Sequence, residues 1–274
     1  MANRKWPIIT LLTDFGIEDH YVASVKGTIL KINPKCTLID ITHRVSPHDI
    51  EEGGFLLASA YSSFPRGTTH LAVVDPGVGS LRKPILLATE NYFFVGPDNG
   101  LFTFCLLREK VKEAVALTNK KFFLSPVSTT FHGRDIFAPV AGHLSLGVGP
   151  KAFGDEIKSW VKLPFRKPKI GKRGLAGEIF HVDIFGNLIS NIREEQVRHF
   201  TKERPFLVRI GRMSIQGWKK NYSEGGKGEL LAVIGSGGYL EVSVREGNAQ
   251  KVLQAKKGDT IIVECGVWDQ GMRR

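Results

Sequence analysis

The sequence predicts an α/β domain, in which a central sheet carries helices on both faces, followed by a smaller all-β, barrel-like domain. Two observations predict this division. Up to about residue 160, short apolar runs alternate with longer segments of helical periodicity, which is typical of a sheet covered by helices. From Gly174 onward, short alternating runs are separated by glycine-rich turns, which is typical of a small antiparallel barrel or sandwich.

The elements of the first domain follow from the period of the apolar residues. Strands are predicted over residues 8–12, 37–41, 69–74, 85–88, 92–95 and 114–117. Helices are predicted over residues 20–32, 51–63, 99–109 and 135–145. Pro139 lies inside the last helix, so it should either kink that helix or lie in its first turn.

The second domain reads as a series of short strands. They are predicted over residues 177–184, 188–192, 206–210, 229–234, 239–244 and 260–264. Gly186 and Asn187 suit a tight turn between the first two strands.

A basic, proline-containing stretch separates the two patterns. Seven lysines and arginines lie between Lys158 and Arg173, together with Pro164 and Pro168. Because this composition disfavours a regular helix or strand, we interpret the stretch as a solvated linker. The predicted parts are residues 1–163 for the first domain, 164–173 for the linker and 174–274 for the second domain.

Composition restricts the class of protein. The 274 residues are 42% hydrophobic, and no apolar run reaches the ~18 residues that a membrane span needs, so we expect no membrane partner. The first residues lead directly into a predicted strand, so we also expect no signal peptide. Cys36, Cys105 and Cys265 lie far apart, which favours reduced thiols in a cytoplasmic protein over a disulfide or zinc framework.

The charge leaves a different class of function open. A net charge of +11, from 38 basic and 27 acidic residues, is compatible with a basic module that binds RNA or another polyanion. Neither an RNP-like aromatic strand nor a zinc-finger spacing accompanies the basic stretch, so nucleic acid is not the partner that we expect.

Acidic loops follow two of the predicted strands. Asp14 comes directly after the first strand, and Asp75 comes directly after the third. A further polar cluster occupies residues 131–135. Because ligands of open α/β sheets bind outside the carboxyl ends of the strands, these loops predict a polar small-molecule site. The alternative is that both acids are ordinary turn or cap residues.

Eight motifs occur along the chain in the order found in one known family. In the first domain they are Thr-Asp-Phe-Gly-x-x-Asp at 13–19, Val-Lys-Gly at 25–27, Ser-Pro-His-Asp-Ile-Glu-Glu-Gly at 46–53, Val-Val-Asp-Pro-Gly-Val-Gly at 73–79, Gly-Pro-Asp-Asn-Gly at 96–100 and Phe-His-Gly-Arg-Asp-Ile-Phe-Ala-Pro at 131–139. In the second domain they are Asp-x-Phe-Gly-Asn-Leu-Ile-Ser-Asn-Ile at 183–192 and Gly-Ser-Gly-Gly-Tyr-Leu-Glu at 235–241. With these motifs the chain resembles the S-adenosyl-L-methionine (SAM) hydroxide adenosyltransferases, or SAM hydrolases, which are relatives of the SAM-dependent fluorinase and chlorinase.

The resemblance implies a role for each candidate residue. Asp14 corresponds to the acceptor of the two ribose hydroxyls. The ligands of the methionine ammonium and carboxylate correspond to Asp19, Asp183, Asn187 and Ser236. The segment that reads adenine corresponds to Asn248 and Ala249, and the hydrolytic constellation corresponds to Asp75, Arg82 and His132.

The resemblance also implies the reaction and the assembly. Water attacks C5′ of the ribose and methionine leaves, giving adenosine, so that SAM is the substrate and neither a metal nor another cofactor is expected. A homotrimer is implied, with the site at the subunit interface between the first domain of one chain and the second domain of its neighbour.

A SAM-dependent halogenase is the alternative within the family. In the resemblance, the halogenases carry an uncharged aromatic residue at the position of Asp75, and fluorinase carries a serine at the position of Gly133. A carboxylate at position 75 repels a halide beside the attacking position, and Gly133 lacks a hydroxyl that could donate to fluoride. These two residues therefore favour hydrolysis.

Overall fold

The computed structural model describes residues 7–164 and 166–265. The chain divides into two compact units, Met1–Pro164 (unit 1) and Phe165–Arg274 (unit 2). Residues 1–6, 165 and 266–274, which belong to the predicted first domain, linker and second domain, lie outside the described residues.

Within residues 7–164, seven strands form the mixed sheet of unit 1. They are β1 (Ile8–Thr13), β2 (Thr37–Thr42), β3 (Thr69–Val73), β4 (Pro84–Thr89), β5 (Phe93–Pro97), β6 (Val111–Leu117) and β7 (Gly154–Glu156). Their order in the sheet is β2-β1-β3-β5-β4-β6-β7. The pairs among β2, β1, β3 and β5 are parallel, and the remaining pairs are antiparallel.

Helices cover both faces of this sheet, which confirms the predicted α/β class. On one face, α1 (Tyr21–Ile32) packs with a later helix, α3 (Ala138–Ser145), over a core that contains Leu11. On the other face, α2 (Ile50–Ala60) shares a second core with Leu12. Because successive side chains of a strand point to opposite faces, adjacent residues of β1 enter different cores. Within the described residues, no helix is both long and apolar enough to cross a bilayer.

One predicted helix of unit 1 is wrong. Residues 99–109 form turns and a short 3-10 helix, Cys105–Leu107, instead of an α-helix. Gly100 has a φ of +97°, outside the right-handed helical region, and the Asn99 side chain accepts a hydrogen bond from the backbone N–H of Leu101. Leu101 is nevertheless fully buried. The spacing of apolar residues in this segment therefore indicated which residues are buried, but not that the segment is helical.

The other predicted helices and strands of unit 1 are present, with small shifts at their ends. The predicted helix over 135–145 begins with a π-helical turn, Gly133–Phe137, and continues as α3 with Pro139 in its first turn. This is one of the two positions that the sequence allowed for Pro139, since the first turn needs no N–H there.

Within residues 166–265, unit 2 contains eight strands and two α-helices. The strands are β8 (Lys169–Gly171), β9 (Gly174–Val182), β10 (Leu188–Arg193), β11 (Phe206–Ile210), β12 (Met213–Gln216), β13 (Leu230–Ile234), β14 (Tyr239–Val244) and β15 (Thr260–Cys265), and the helices are α4 (Glu194–Thr201) and α5 (Ala249–Leu253). The sheet runs β12-β11-β15-β9-β10-β14-β13, with β8 paired to β9, and every pair is antiparallel. A bridge from Lys219 to Val233 on β13 links the two ends of this order, so the sheet nearly closes, as the sequence predicted.

The structure adds elements that the sequence pattern did not predict. Helices α4 and α5 span only eight and five residues, too few for a helical period to be read among alternating strands. Three residues of the predicted linker form β8, an edge strand whose side chains are all exposed and therefore carry no apolar period.

A buried histidine fills the centre of unit 1. His70 lies on β3 opposite Thr10 of β1, and its Nδ1 is 2.8 Å from the Thr10 hydroxyl. Its ring stacks on Phe94 with 5.3 Å between ring centroids. Burial lowers the pKa of His70 to about 3, so the fold holds this ring neutral.

We expect His70 to make the protein sensitive to acid. The unfolded chain takes up a proton at this residue below about pH 6.5, whereas the folded chain does not until about pH 3, so the free energy of unfolding should fall as the pH decreases between these values. Above pH 6.5 the residue should contribute no pH dependence. His70→Gln should lower Tm at pH 7.5 but show a shallower further loss at pH 5 in thermal melts. Equal pH slopes for the variant and the wild type would exclude His70 as the group responsible.

Candidate active site

Strand pairing brings the two acidic loops to one edge of the sheet. β1 and β3 are parallel neighbours, with Thr13 opposite Val73. Asp14 follows Thr13 directly, and Asp75 lies two residues after Val73. Both carboxylates therefore leave the carboxyl ends of adjacent strands, where ligands of such sheets bind.

A cavity of about 480 Å³ opens at this edge. Its lining includes Asp14, Asp75, His132, Phe15, Tyr21 and Phe131. The last three residues form an aromatic wall, in which the Tyr21 and Phe131 rings meet edge to face with 5.2 Å between centroids. The volume, and the polar side chains placed beside aromatic ones, are typical of a small-molecule site.

Arg82 joins Asp75 to His132. Its Nε donates to Asp75 Oδ1 at 2.9 Å, and its Nη2 donates to Asp75 Oδ2. The same Nη2 lies 2.8 Å from His132 Nδ1. The Asp75 and Arg82 side chains are only 5% and 9% exposed, so this ion pair is buried and neither partner can be removed without leaving an unpaired charge. The structure thus brings together three residues that lie up to 57 positions apart in the sequence, from Asp75 to His132.

The contact with Arg82 fixes the protonation state of His132. A guanidinium has hydrogen-bond donors only, so Nδ1 accepts the bond and the ring proton lies on Nε2. Burial, and then the charge of Arg82, lower the pKa of His132, although Asp75 and Asp135 act in the opposite direction. His132 is therefore a neutral imidazole that offers an N–H on Nε2.

A π-helical turn sets the position of His132, which immediately precedes it. Within this turn Asp135 is fully buried, and its carboxylate accepts two hydrogen bonds from Arg134 and one from the backbone N–H of Ser128. These bonds compensate for the burial of a charge and anchor the loop before His132. Gly133 packs closely on the aromatic wall, since a Cβ there would lie 3.3 Å from the Phe15 ring.

The two acids of the first loop have different surroundings. Asp14 lines the cavity, and its Oδ2 accepts a hydrogen bond of 2.9 Å from the backbone N–H of His48. His48 has a φ of +68°, an uncommon conformation outside glycine, which this bond helps to hold. Asp19 is exposed and is not among the residues that line the cavity.

In unit 2, Asp183 and Asn187 meet in the turn between β9 and β10. Asp183 Oδ1 accepts from the backbone N–H groups of Phe185 and Asn187, at 2.9 and 2.8 Å. Its Oδ2 accepts from Asn187 Nδ2 at 2.8 Å. Gly186 adopts a φ of +82° within the turn, which confirms the predicted tight turn and gives the reason for glycine there.

The other predicted ligands of unit 2 lie near this turn or on a separate loop. Asn248 caps α5 by accepting from the backbone N–H of Lys251 at 2.7 Å, and its side chain lies against Gly186. Ala249 is fully buried in the core of unit 2. Ser236 is exposed in the glycine-rich turn between β13 and β14.

A buried carboxyl in unit 2, Glu241, was not among the predicted site residues. Glu241 on β14 is 7% exposed and accepts a hydrogen bond of 3.2 Å from the Tyr222 hydroxyl. Burial raises the pKa of Glu241; the Tyr222 hydrogen bond opposes this shift, and the charge of Asp183 adds to it. The available indication was an acidic residue within the alternating run that predicted β14.

Among residues 7–164 and 166–265, no three His, Cys, Asp or Glu side chains are grouped closely enough to share a metal ion. The side chains that line the cavity of unit 1 offer polar groups that can hold a small molecule.

Comparison with known proteins identifies the family. The SAM hydroxide adenosyltransferase N-terminal domain matches residues 9–154, and the C-terminal domain of the same family matches residues 177–262. The chain belongs to this family. The resemblance inferred from the sequence motifs is thereby confirmed.

Alignments with named relatives and with a solved structure extend over nearly the whole of this chain. The (R)-S-adenosyl-L-methionine hydrolase of Salinispora tropica is 37% identical over 273 residues, which is 97% of this chain and 100% of that protein. An uncharacterized conserved protein from Thermotoga maritima has a crystal structure with a TM-score of 0.88 and 39% identity, covering 94% of this chain and 100% of that chain. The fluorinase of Nocardia brasiliensis is more distant, with 25% identity over 97% of this chain and 99% of that protein.

Proposed function

We propose that this chain hydrolyses SAM to adenosine and L-methionine. The observation that carries the proposal is the buried contact of Arg82 with Asp75 and His132, at a cavity that Asp14 also lines. Membership of the SAM hydroxide adenosyltransferase family and the named SAM hydrolases among its relatives support the same reaction.

The cavity offers complementary groups for the nucleoside and the sulfonium. In the proposed complex the Asp14 carboxylate accepts both ribose hydroxyls, because its single hydrogen bond to the backbone of His48 leaves further lone pairs free. The sulfonium cation lies against the aromatic wall of Phe15, Tyr21 and Phe131, where the ring faces attract positive charge.

Asp75 is the group that takes the proton from water in this proposal. Arg82 occupies one lone pair on each Asp75 oxygen, so each oxygen retains one for a water molecule. His132 has no free lone pair while Nδ1 accepts from Arg82, so it acts by donating from Nε2. Water oxygen forms the bond to C5′, the C5′–S bond breaks with its electron pair moving to sulfur, and the water proton moves to Asp75.

The ion pair also solves an electrostatic problem. A lone guanidinium about 6 Å from the sulfonium would repel it by roughly 3 kcal/mol at an effective dielectric constant of 20. Asp75 cancels most of this repulsion because it shares two hydrogen bonds with Arg82. Since a sulfonium is already a good leaving group, the proposed reaction requires neither a metal nor another cofactor.

The same residues disfavour a halogenase. A halide that approached C5′ would lie beside the carboxylate oxygens of Asp75, and would exchange its hydration shell for the single donor of His132 Nε2, because Arg82 already donates to Asp75 and His132. Gly133 supplies no hydroxyl, and a serine there would crowd the Phe15 ring, which lies 3.3 Å from the position of a Cβ.

The assembly in this proposal is a homotrimer with the site at the subunit interface. Exposed apolar side chains support it on both units of a single chain. Leu81 beside Arg82 is fully exposed, and Ile184 and Phe185, between Asp183 and Asn187, are 91% and 71% exposed. Such side chains in a turn that carries proposed ligands are typical of an interface between copies.

The proposal places the enzyme in the cytoplasm. All three cysteines, Cys36, Cys105 and Cys265, are free thiols, and free thiols persist in a reducing compartment.

Labelled water tests whether the protein hydrolyses SAM. Purified protein incubated with SAM in oxygen-18 water, with a chelator and excess chloride, should release methionine and adenosine labelled at the 5′ oxygen. The label follows because water is the nucleophile. Turnover no faster than the protein-free control, unlabelled adenosine, or a 5′-chloro nucleoside in the chromatogram would each overturn the proposed function.

Separate variants should distinguish chemistry from binding. His132→Ala should lower kcat by about 100-fold with little change in SAM affinity, because a donor to the nucleophile is lost. Asp14→Ala should instead raise KM, since the ribose diol loses its acceptor. Lys112→Ala, at an exposed residue of β6 that does not line the cavity, serves as the control and should leave both constants within about threefold.

The pH profile provides a check on the state of His132. Activity requires Nδ1 to remain unprotonated, and the pKa of His132 is lowered from 6.5, so the acid limb of kcat/KM should lie below pH 6.5. A limb at or above this value that disappears in His132→Ala would show that the pKa of His132 is not lowered in the working enzyme, and would contradict the neutral imidazole described above.

The shared site can be tested by complementation. Asp14→Ala and Asn187→Ala should each be impaired, and in a trimer with shared sites they damage opposite halves. After joint unfolding and reassembly in equal amounts, about a quarter of the sites should combine two intact halves, by random pairing across a heterologous interface. Activity should therefore recover to about that fraction of wild type. Proven subunit exchange without recovery would show that each chain builds its own site.

A further inference from the structure

A chain of polar contacts leads from the surface of unit 1 to the loop that carries Asp14. It begins at Lys26 on α1 and passes through Asp40 on β2 and His43 to Thr13 at the end of β1. None of these four residues lines the cavity. His43 and Thr13 are 6% and 1% exposed, so the inner part of the chain is buried.

The outer part of the chain holds a negative charge against His43. Lys26 Nζ donates to Asp40 Oδ2 at 2.6 Å, and Asp40 Oδ1 lies 3.0 Å from His43 Nε2. Burial opposes ionisation of Asp40, but Lys26 and His43 outweigh it and hold the pKa of Asp40 below its usual value. The Nε2 group makes no well-aligned hydrogen bond, so the contact with Asp40 is electrostatic and favours the ring proton on Nε2.

In the inner, buried part of this series of contacts, each hydrogen bond has a defined donor and acceptor. With the ring proton on Nε2, Nδ1 is an acceptor, and the Thr13 hydroxyl donates to it at 2.8 Å. The Thr13 oxygen in turn accepts from the backbone N–H of Phe15 at 3.2 Å. The backbone carbonyl of His43 accepts from the N–H of Gly16 at 2.8 Å. His43 thus holds the loop through both its side chain and its backbone.

We propose that Thr13 and His43 are positioning residues for Asp14, acting through the backbone of Phe15 and Gly16 without touching the substrate. The inference rests on the proposed function, in which Asp14 receives the ribose. Asp14 lies between the two clamped points, since Thr13 precedes it and Phe15 follows it. A carboxylate that must accept two hydroxyls at once requires a defined orientation, which a loop fixed at only one point does not supply.

The fold provides a matched control for this inference. Thr10 and His70 make the same threonine–histidine contact, also at 2.8 Å, three residues earlier on β1. That pair lies in the core and contacts neither the loop nor the cavity. Thr10→Val and Thr13→Val therefore delete the same hydroxyl from the same strand, once away from the site and once beside it.

Steady-state kinetics on the wild type and three variants test the inference. Thr13→Val should raise KM for SAM by about tenfold, the size of one lost hydrogen bond, while kcat changes by less than about threefold. Thr13→Ser retains the hydroxyl and should restore KM to near the wild-type value. Thr10→Val should lower Tm at least as much as Thr13→Val and leave KM unchanged.

Failure of the positioning role and failure of the proposed function would give different results. A wild-type KM in Thr13→Val, or an equal rise in Thr10→Val, would overturn the positioning role while leaving SAM hydrolysis intact. Wild-type protein without SAM turnover would overturn the proposed function instead. Hydrogen exchange then decides the inference without any activity, because the Phe15 and Gly16 amides should exchange about tenfold faster in Thr13→Val than in wild type or Thr10→Val. Unchanged exchange would overturn it.

Discussion

The direct parallel pairing of β1 and β3 is the constraint on which the candidate site depends. It sets Thr13 opposite Val73, so the loops that carry Asp14 and Asp75 start from neighbouring positions at one edge. The two cores fix this register, because adjacent residues such as Leu11 and Leu12 are each fully buried on opposite faces. A slip by one residue would exchange the faces of the whole strand, so packing far from the site keeps the two carboxylates together.

The buried ion pair of Asp75 and Arg82 is better explained by chemistry than by stability. Apolar side chains of similar volume often stabilise a fold at least as well as a buried ion pair, so its presence argues weakly for a structural role. Here the pair has a third partner, since Arg82 also donates to His132 and thereby fixes the position of the ring proton. One guanidinium thus orients both groups that flank the proposed nucleophile.

The sequence predicted the local secondary structure better than the contacts between residues that are distant in the chain. The alternation of strands and helices predicted β1, β3 and their acidic loops, because burial on both faces leaves an apolar run. The contact between Arg82 and His132 could not be predicted from spacing, since 50 residues separate them and the π-helical turn after His132 decides their distance. The hydrogen bond from Thr13 to His43 was missed for the same reason, as it depends on which strand lies beside β1.

The proposed reaction explains why Asp75 is paired. The substrate carries its positive charge on sulfur and loses it as the C5′–S bond breaks, so a lone carboxylate nearby would stabilise the substrate more than the transition state. Such binding lowers KM without accelerating the chemical step. Arg82 makes the neighbourhood of Asp75 nearly neutral overall, yet leaves lone pairs on the carboxylate for water. In the proposal, Asp14 and the aromatic wall therefore bind the substrate before the reaction. Asp14 binds the ribose, which carries no charge in either substrate or product.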